Sequence, residues 1–398
     1  MESYVIDWFS LIFRWLHAIT GIAWIGASFY FIWLDNSLQE PPQWKKDKGI
    51  KGDLWAIHGG GIYEVAKYRL EPEQMPTTLH WFKWEAYTTW LTGMVLLTII
   101  YYLGADSYLI DKRIADLTQW QAITIGVAAI VASWIFYELL CSSPLGRNST
   151  VIGAILIAAA IATAYGLTQI YSGRGAYIHF GAIIGTLMAG NVFRIIIPGQ
   201  KALIAAIEQG VAPEEKWAAK AKLHSTHNTY LTLPLLFIMI SNHYPMTYTH
   251  HLNWAILLAI VAITAAARLY FVLEHKHVKK PSLLIGAAIG TLVLAVLMAP
   301  EPVQIAEVEE GHREQLQQEV FQIVQSRCAS CHSSNPTDEV FTFAQGGVSL
   351  DTMTEIVQWA PRIKARAIDN NDMPFLNKTE MTDQERQILA TWIADLQK

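Results

Sequence analysis

Eight apolar runs fill residues 1–300 of this chain: 8–34, 87–104, 119–141, 151–172, 176–197, 226–242, 252–274 and 283–300. A helix needs about 20 such residues to cross the hydrocarbon core of a bilayer. The runs therefore predict a polytopic bundle of eight membrane helices. The sixth, "THNTYLTLPLLFIMISN", is short and carries Pro234. The first lacks a basic leader and a small-residue cleavage site, so it is expected to be a retained span. Composition agrees. Only 16% of residues are charged, against about 25% in soluble domains. The 15 Trp and 16 Tyr suit a protein with two membrane interfaces. A net charge of −5 offers no case for nucleic-acid binding.

Loop charges set the orientation. With the amino terminus outside, the inner loops hold fifteen Lys and Arg, and the outer loops only Lys112, Arg113 and Arg174. Eight spans then return residue 300 to the outside. "VIGAILIAAAIATA" at 151–164 is similar to "LIGAAIGTLVLAVL" at 284–297, and the first helix more loosely to the fifth. Two parallel four-helix repeats are expected; the bland account is that Gly/Ala-rich membrane helices resemble one another. The apolar runs stop at "MAPEPVQIAEVEEGHREQ". This divides the chain into a membrane domain (1–300), a Pro- and Glu-rich linker (301–313) and a small polar domain (314–398).

That small domain contains "SRCASCHSSN", with two of the chain's 3 Cys. C-x-x-C-H is the attachment signature of a c-type haem. The thiols of Cys328 and Cys331 add to the porphyrin vinyls, and His332 reaches the iron. A redox dithiol needs no histidine, and a zinc site needs a second ligand pair that is missing here. The sixth iron ligand is expected at Met373 in "NNDMPFLN", with Met353 and Met381 as competitors; Met–His ligation suits an electron carrier. Leu316, Val320, Phe321 and Val324 share a helical face, and a last helix capped by Thr382 and Glu385 offers Ile388, Leu389, Trp392, Ile393 and Leu396. The two are expected to cross, Phe321 against Trp392. Cys141 reads as an inert cysteine near a helix end. Haem c is attached outside the cytoplasm, in agreement with the loop charges.

Ionisable groups inside a span are costly and therefore suspect. Arg14, His17 and His179 fall on the outer half, and the two histidines match in the repeat. They are expected to ligate a haem b; hydrogen bonding to a neighbouring helix is the simpler alternative. On the inner half lie His80, Glu85, Glu138, Asn191, Arg194, His224, His227, Asn228 and Arg268. These predict a polar cavity, with Arg194 and Arg268 suited to a planar, oxygen-rich anion. His224 and His227, three apart, share a face as a base or as metal or haem ligands. Glu85 and Glu138 are further candidate bases, and Asn191 and Asn228 candidate substrate contacts.

"FRWLHAITGIAWIGASFYFIWLDNSL", "WAIHGGGIYEV", "LHWFKWEAYTTWLTG" and the final "CASCH" resemble the integral-membrane, cytochrome c-fused urate oxidases over nearly the full length. The carboxyl domain resembles class I cytochrome c. The first helix, around His17, is also similar to that of haem-binding membrane protoporphyrinogen oxidases. The resemblance implies an all-α bacterial inner-membrane oxidoreductase of purine catabolism. It would oxidise urate to 5-hydroxyisourate and pass electrons to the fused haem c, then to a terminal oxidase or soluble cytochrome. A porphyrinogen oxidase-like enzyme, a membrane-anchored electron carrier and a transporter with a redox sensor are the rival readings. "GGG" at 59–61 has no strand–helix setting for a nucleotide. Reporter fusions at residue 300 are expected to be active only outside the cytoplasm; cytoplasmic activity would refute the eight-span topology.

Overall fold

The computed structural model describes residues 2–69, 72, 75–212, 214–299, 310–338, 341, 343–369 and 373–396. The chain is mainly helical. It opens with α1 (Glu2–Ser37), a one-turn α2 (Gln43–Asp47) and a hairpin of β1 (Ile50–His58) and β2 (Gly61–Tyr68). Helix α3 (Trp84–Leu96) runs into a wider, π-type turn over Leu97–Tyr102 before the short α4 (Ala105–Tyr108). Then come α5 (Gln119–Ser142), α6 (Ser149–Thr168) and α7 (Gly173–Gly190). A second π-type turn, Asn191–Ile196, joins α7 to α8 (Ile197–Glu208). Next are α9 (Glu215–Ser241), α10 (Pro245–Tyr248), α11 (Asn253–His275) and α12 (Pro281–Leu297). The last helices are α13 (Arg313–Arg327), α14 (Met353–Ile363) and α15 (Asp383–Asp395).

All eight apolar runs are helical. Five helical stretches are long and apolar enough to cross a membrane: Val5–Ser37, Gln119–Ser142, Ser149–Thr168, Gly173–Glu208 and Asn253–His275. Pro281–Leu297 is apolar but shorter. Local chemistry starts these helices. The Thr118 hydroxyl accepts from Gln121 N–H while Gln121 reaches back, a capping box for α5. Asn148 and Ser172 cap α6 and α7. Pro234 lies inside α9, which continues through it.

Helix α7 is the hub. Its Tyr177, Phe180, Ile183, Ile184 and Met188 join α5, α6, α9 and α11 residues in the main apolar core. Three glycines let its neighbours close in. A Cβ on Gly181 would stand 2.6 Å from Ile238, one on Gly126 2.6 Å from His179, and one on Gly190 2.6 Å from Trp134. The pairing of α1 with α3 is mirrored by α7 with α9. Helix α11 packs closely on α9 and α12, but among the described residues no equally close pairing joins α5 to α3 or to α6. The four-plus-four repeat is thus matched only in its first helix pair.

The segment between α1 and α3 departs from an all-helical chain. Strands β1 and β2 pair antiparallel from Ile50 and Tyr68 to His58 and Gly61. The two-residue turn between them has Gly59 at φ 57° and Gly60 at φ 81°. Both are left-handed, as a type I′ hairpin turn requires. The Lys45 ammonium, from α2, bridges Asp53 and Glu64 across the two strands and faces the Trp44 and Trp55 rings.

Residues 310–396 have a hydrophobic core of their own, in which Val320, Ile323 and Val324 of α13 meet Leu389, Trp392 and Ile393 of α15. The two helices pack as expected, with one correction. Phe321 is 37% exposed, one position off the 320/323/324 stripe, and Ile323 takes the inner place. Thr352–Glu355 and Thr382–Glu385 form capping boxes for α14 and α15. The predicted linker lies, over 301–309, outside the described residues. Gly60→Val is expected to cost about 1–2 kcal/mol and to speed proteolysis within 49–68, while Gly60→Asn costs much less. Equal proteolysis of Gly60→Val and the parent chain would contradict the turn assignment.

Candidate functional site

A cleft of about 960 Å³ runs between the α1–α3 pair and the α7–α9 pair. One end is lined by Asp35, His80, Gln200, Ser225 and Asn228, the other by Arg14, Tyr101, Asn242 and His243. Its walls are mostly apolar, with Trp24, Trp90 and Phe31, and Gly21, Gly93, Gly181 and Gly185 flatten them. This size falls in the range of small-molecule and cofactor sites.

His17 lines the cleft midway. Its Nδ1 is 2.9 Å from the Thr89 carbonyl and 3.1 Å from Thr92 Oγ1. A carbonyl only accepts, so Nδ1 carries the proton and Nε2 presents its lone pair. This is how a carbonyl orients a metal-binding histidine. The ring also lies beside Gly93, where a Cβ would come within 3.0 Å. His179 is differently placed. It is fully buried and does not line the cleft. Nδ1 donates to Gly175 O at 2.9 Å, Nε2 accepts from Tyr102 Oη at 3.3 Å, and the ring lies 4.9 Å from that of Tyr171. Both nitrogens are in use and Gly126 closes the space behind. The expected His17–His179 pair does not face a common void, because the π-type turn at 97–102 delivers Tyr102 to His179.

The inner polar residues form a buried network around an unforeseen member, Tyr137. Its Oη is 2.7 Å from His227 Nδ1 and accepts from Asn191 Nδ2 at 3.1 Å. Asn191 Nδ2 also donates to Asn228 Oδ1 at 2.8 Å, and Asn228 Nδ2 to Met188 O at 3.0 Å. The second π-type turn begins at Asn191, and such turns often sit at functional sites. His224 packs its ring 5.8 Å from Tyr137 and 6.2 Å from His227. Its Nδ1 donates to Lys220 O, and its Nε2 is buried without a partner. Glu138 lies within electrostatic reach of His224 and keeps Oε1 unpaired, as Asn191 does its Oδ1. Glu85 is apart from this network, 3.9 Å from His80 Nε2, with Oε2 unpaired. The sequence offered one signal for Tyr137: its place beside the ionisable Glu138 within a span.

The two candidate arginines have different neighbours. Arg268 is 2% exposed. Its Nε donates to Thr229 O at 3.3 Å, its guanidinium stacks 3.9 Å over Phe29, and its Nη2 has no partner. Arg194 is exposed and faces the Trp134 ring at 5.7 Å. At about 100° per residue, Thr229 and His227 point to opposite sides of the Asn228 direction. Asn228 lines the cleft and joins the histidine–tyrosine network, while Arg268 bonds the backbone of the next residue of α9 without lining the cleft itself. The two arginines meet different elements: Arg268 stacks on Phe29 of α1, and Arg194 faces Trp134 of α5.

At the other end of the chain the C-x-x-C-H segment is a tight turn. The N–H groups of Cys331 and His332 both donate to Cys328 O, at 3.2 and 2.9 Å. His332 Nδ1 is 3.3 Å from Val348 O, which leaves Nε2 free to ligate. Leu350 N–H fixes the His332 carbonyl at 2.9 Å. Burial pushes the Cys328 thiol up to about 12 and raises Cys331 as well. A reactive dithiol has a lowered thiol pKa instead. Cys328 and Met373 pack on the same core. Met373 is held by its own backbone: N–H to Arg366 O at 2.9 Å, and O from Arg386 Nη1 at 2.8 Å. Met381 is 3% exposed inside the core, and Met353 starts α14. These residues fit a covalent haem c, with Met373 the methionine that is both partly accessible and rigidly placed.

No curated protein and no solved structure matches the chain. A family model described as urate oxidase N-terminal matches residues 3–299, which takes in the whole cleft, Tyr137, both orphaned nitrogens of His224 and Arg268, and every helix from α1 to α12. The chain belongs to the urate oxidase N-terminal family.

Proposed function

We propose that this protein is a membrane-bound urate oxidase. It converts urate and water to 5-hydroxyisourate, two protons and two electrons, and delivers the electrons to a haem c at its carboxyl end. The observation that carries this reading is the family match over residues 3–299, joined in one chain to a C-x-x-C-H motif. Both termini lie outside the cytoplasm in this reading, and eight helices span the membrane.

Urate is an anion at neutral pH. It enters the inner end of the cleft beside Asn228, and Arg268, bonded to the backbone of Thr229, supplies the cationic donor. A buried guanidinium with a spare N–H is costly without an acceptor, and an oxygen-rich anion supplies one. Arg194, three residues on from Asn191, is the second candidate donor. Asn191 and Asn228 orient the purine through their amides. His224 Nε2, unprotonated and unpaired, is positioned to take a proton as charge leaves the ring. His227, held by Tyr137, and the carboxylates of Glu138 and Glu85 are candidates to move that proton onward.

His17 would hold a haem b through the nitrogen that Thr89 and Thr92 leave unused, beside the apolar, glycine-walled cleft that it lines; both nitrogens of His179 are taken elsewhere. The haems supply one-electron relay chemistry. The two electrons released per urate would leave the chain to an external acceptor, a terminal oxidase or soluble cytochrome. A pyridine haemochrome spectrum of the purified chain is expected to count one c and one b haem. Absence of a b-type signal removes the His17 assignment. Cys328→Ser with Cys331→Ser should stop turnover and spare urate binding. Arg268→Gln should weaken urate binding about tenfold to a hundredfold, the value of a charged hydrogen bond, with the haem c spectrum intact. Normal binding and oxidation by Arg268→Gln would locate the substrate elsewhere.

A further inference from the structure

The outer end of the cleft meets the carboxyl-terminal unit through one cluster. Arg174, the second residue of α7, puts its guanidinium 4.9 Å from the centre of the Tyr108 ring, 5.7 Å from Phe375 and 5.8 Å from Tyr101. Its Nε donates to Tyr101 Oη at 3.1 Å. The Tyr108 and Phe375 rings meet edge to face at 5.4 Å, Tyr101 and Tyr108 at 6.3 Å, and Phe341 backs Phe375 at 6.2 Å. Three of these residues belong to the bundle. Phe341 and Phe375 belong to the carboxyl-terminal unit, and Phe375 is two residues from Met373.

Two features make Arg174 more than a surface contact. A cation in the first turn of a helix sits at the unfavourable end of its macrodipole, so this placement costs stability unless something offsets it. Among the described residues no carboxylate pairs with it; the offset comes from the negative faces of three rings and one hydroxyl. A guanidinium stacks its flat face on a ring while donating N–H bonds in its own plane, whereas an ammonium is a point charge without such a plane. Tyr101 also lines the cleft, so an unbroken series of side chains runs from the cleft wall through Tyr101, Tyr108 and Phe375 to the Met373 loop.

We propose that Arg174 is the latch that docks the Met373 edge of the carboxyl-terminal unit on the outer mouth of the cleft, so that electrons from the cleft enter beside Met373. Arg174 is a positioning residue: it holds the two redox regions at a fixed separation and takes no part in the chemistry of urate. The electron-transfer part rests on the urate-oxidase reading; the docking part does not.

Two measurements on the full, haem-loaded chain separate them. In the first, Arg113→Cys and Asp383→Cys, exposed residues of the two units that both lie within electrostatic reach of Arg386 and outside the latch, are joined by a bismaleimide. Rapid cross-linking is expected, and its loss on adding Arg174→Gln. No cross-link, or one indifferent to Arg174, overturns the latch whatever urate does. In the second, haem c reduction is followed after mixing with urate or with ascorbate, a small diffusible reductant. Arg174→Gln and Arg174→Lys are expected to slow urate-driven reduction about tenfold, the worth of a stacked cation. They should leave ascorbate reduction, the haem c potential and the KM for urate as in the parent chain. Urate-driven reduction at the parent rate overturns the latch. Haem c that urate never reduces in the parent chain, with the cross-link intact, overturns the urate-oxidase reading and leaves the docking standing.

Discussion

Close approach to α7 is the constraint on which the rest of the bundle depends. Gly126, Gly181 and Gly190 bring α5 and α9 so near α7 that one added Cβ at any of them would stand 2.6 Å from a neighbour's side chain. The driving force between helices in lipid is packing rather than water exclusion, and small residues are how backbones get close enough to profit. The functional geometry follows from that contact. With α7 against α5, His179 is sealed between Tyr102 and Tyr171, and Asn191 reaches Tyr137. With α7 against α9, Asn191 reaches Asn228, and the α1–α3 pair is left to form the far wall of the cleft.

The helices were legible in the sequence because apolar run length answers directly to bilayer thickness. The C-x-x-C-H segment and the Met373 loop stand out in the sequence by local residue pattern, and the fold packs Cys328 and Met373 on one core. The capping of α15 by Thr382 and Glu385 was readable for the same local reason. The hairpin is written in "HGGGIY": adjacent glycines between Ile57 and Ile62 can both take the left-handed conformation of a type I′ turn, and Gly59 and Gly60 do. Phe321 was misplaced by one position, an error of about 100° around α13.

Partnerships between helices were not legible. His17 and His179 align in the sequence, yet one faces a cleft and the other is enclosed. The difference lies in which third helix arrives: α3 brings a carbonyl to His17, while the π-type turn after α3 brings a hydroxyl to His179. One extra residue in a helical turn rotates everything beyond it, and no propensity announces that insertion. Arg194 and Arg268 looked like a fork because both are guanidinium groups at inner depth. Depth is readable from position in a run; the azimuth around a helix bundle is set by packing.

The half-buried and buried cations distinguish structural from available charge. Lys45 is satisfied by two carboxylates. Arg386 spends its donors on the carbonyls of Ala367 and Met373 and so fixes the loop of the iron-ligand candidate. Arg174 is neutralised by rings and a hydroxyl. Arg268 has one carbonyl, one ring face and an Nη2 with nothing to bind. Folding alone would favour an apolar residue at that place, because an unpaired buried charge costs several kcal/mol. His224 Nε2, on α9 itself, is the complementary imbalance, an acceptor without a donor. A buried donor and a buried acceptor both left open around one helix are a cost that packing for stability alone would have removed, and it is this cost that sets α9 apart from the other helices as the place to look for chemistry.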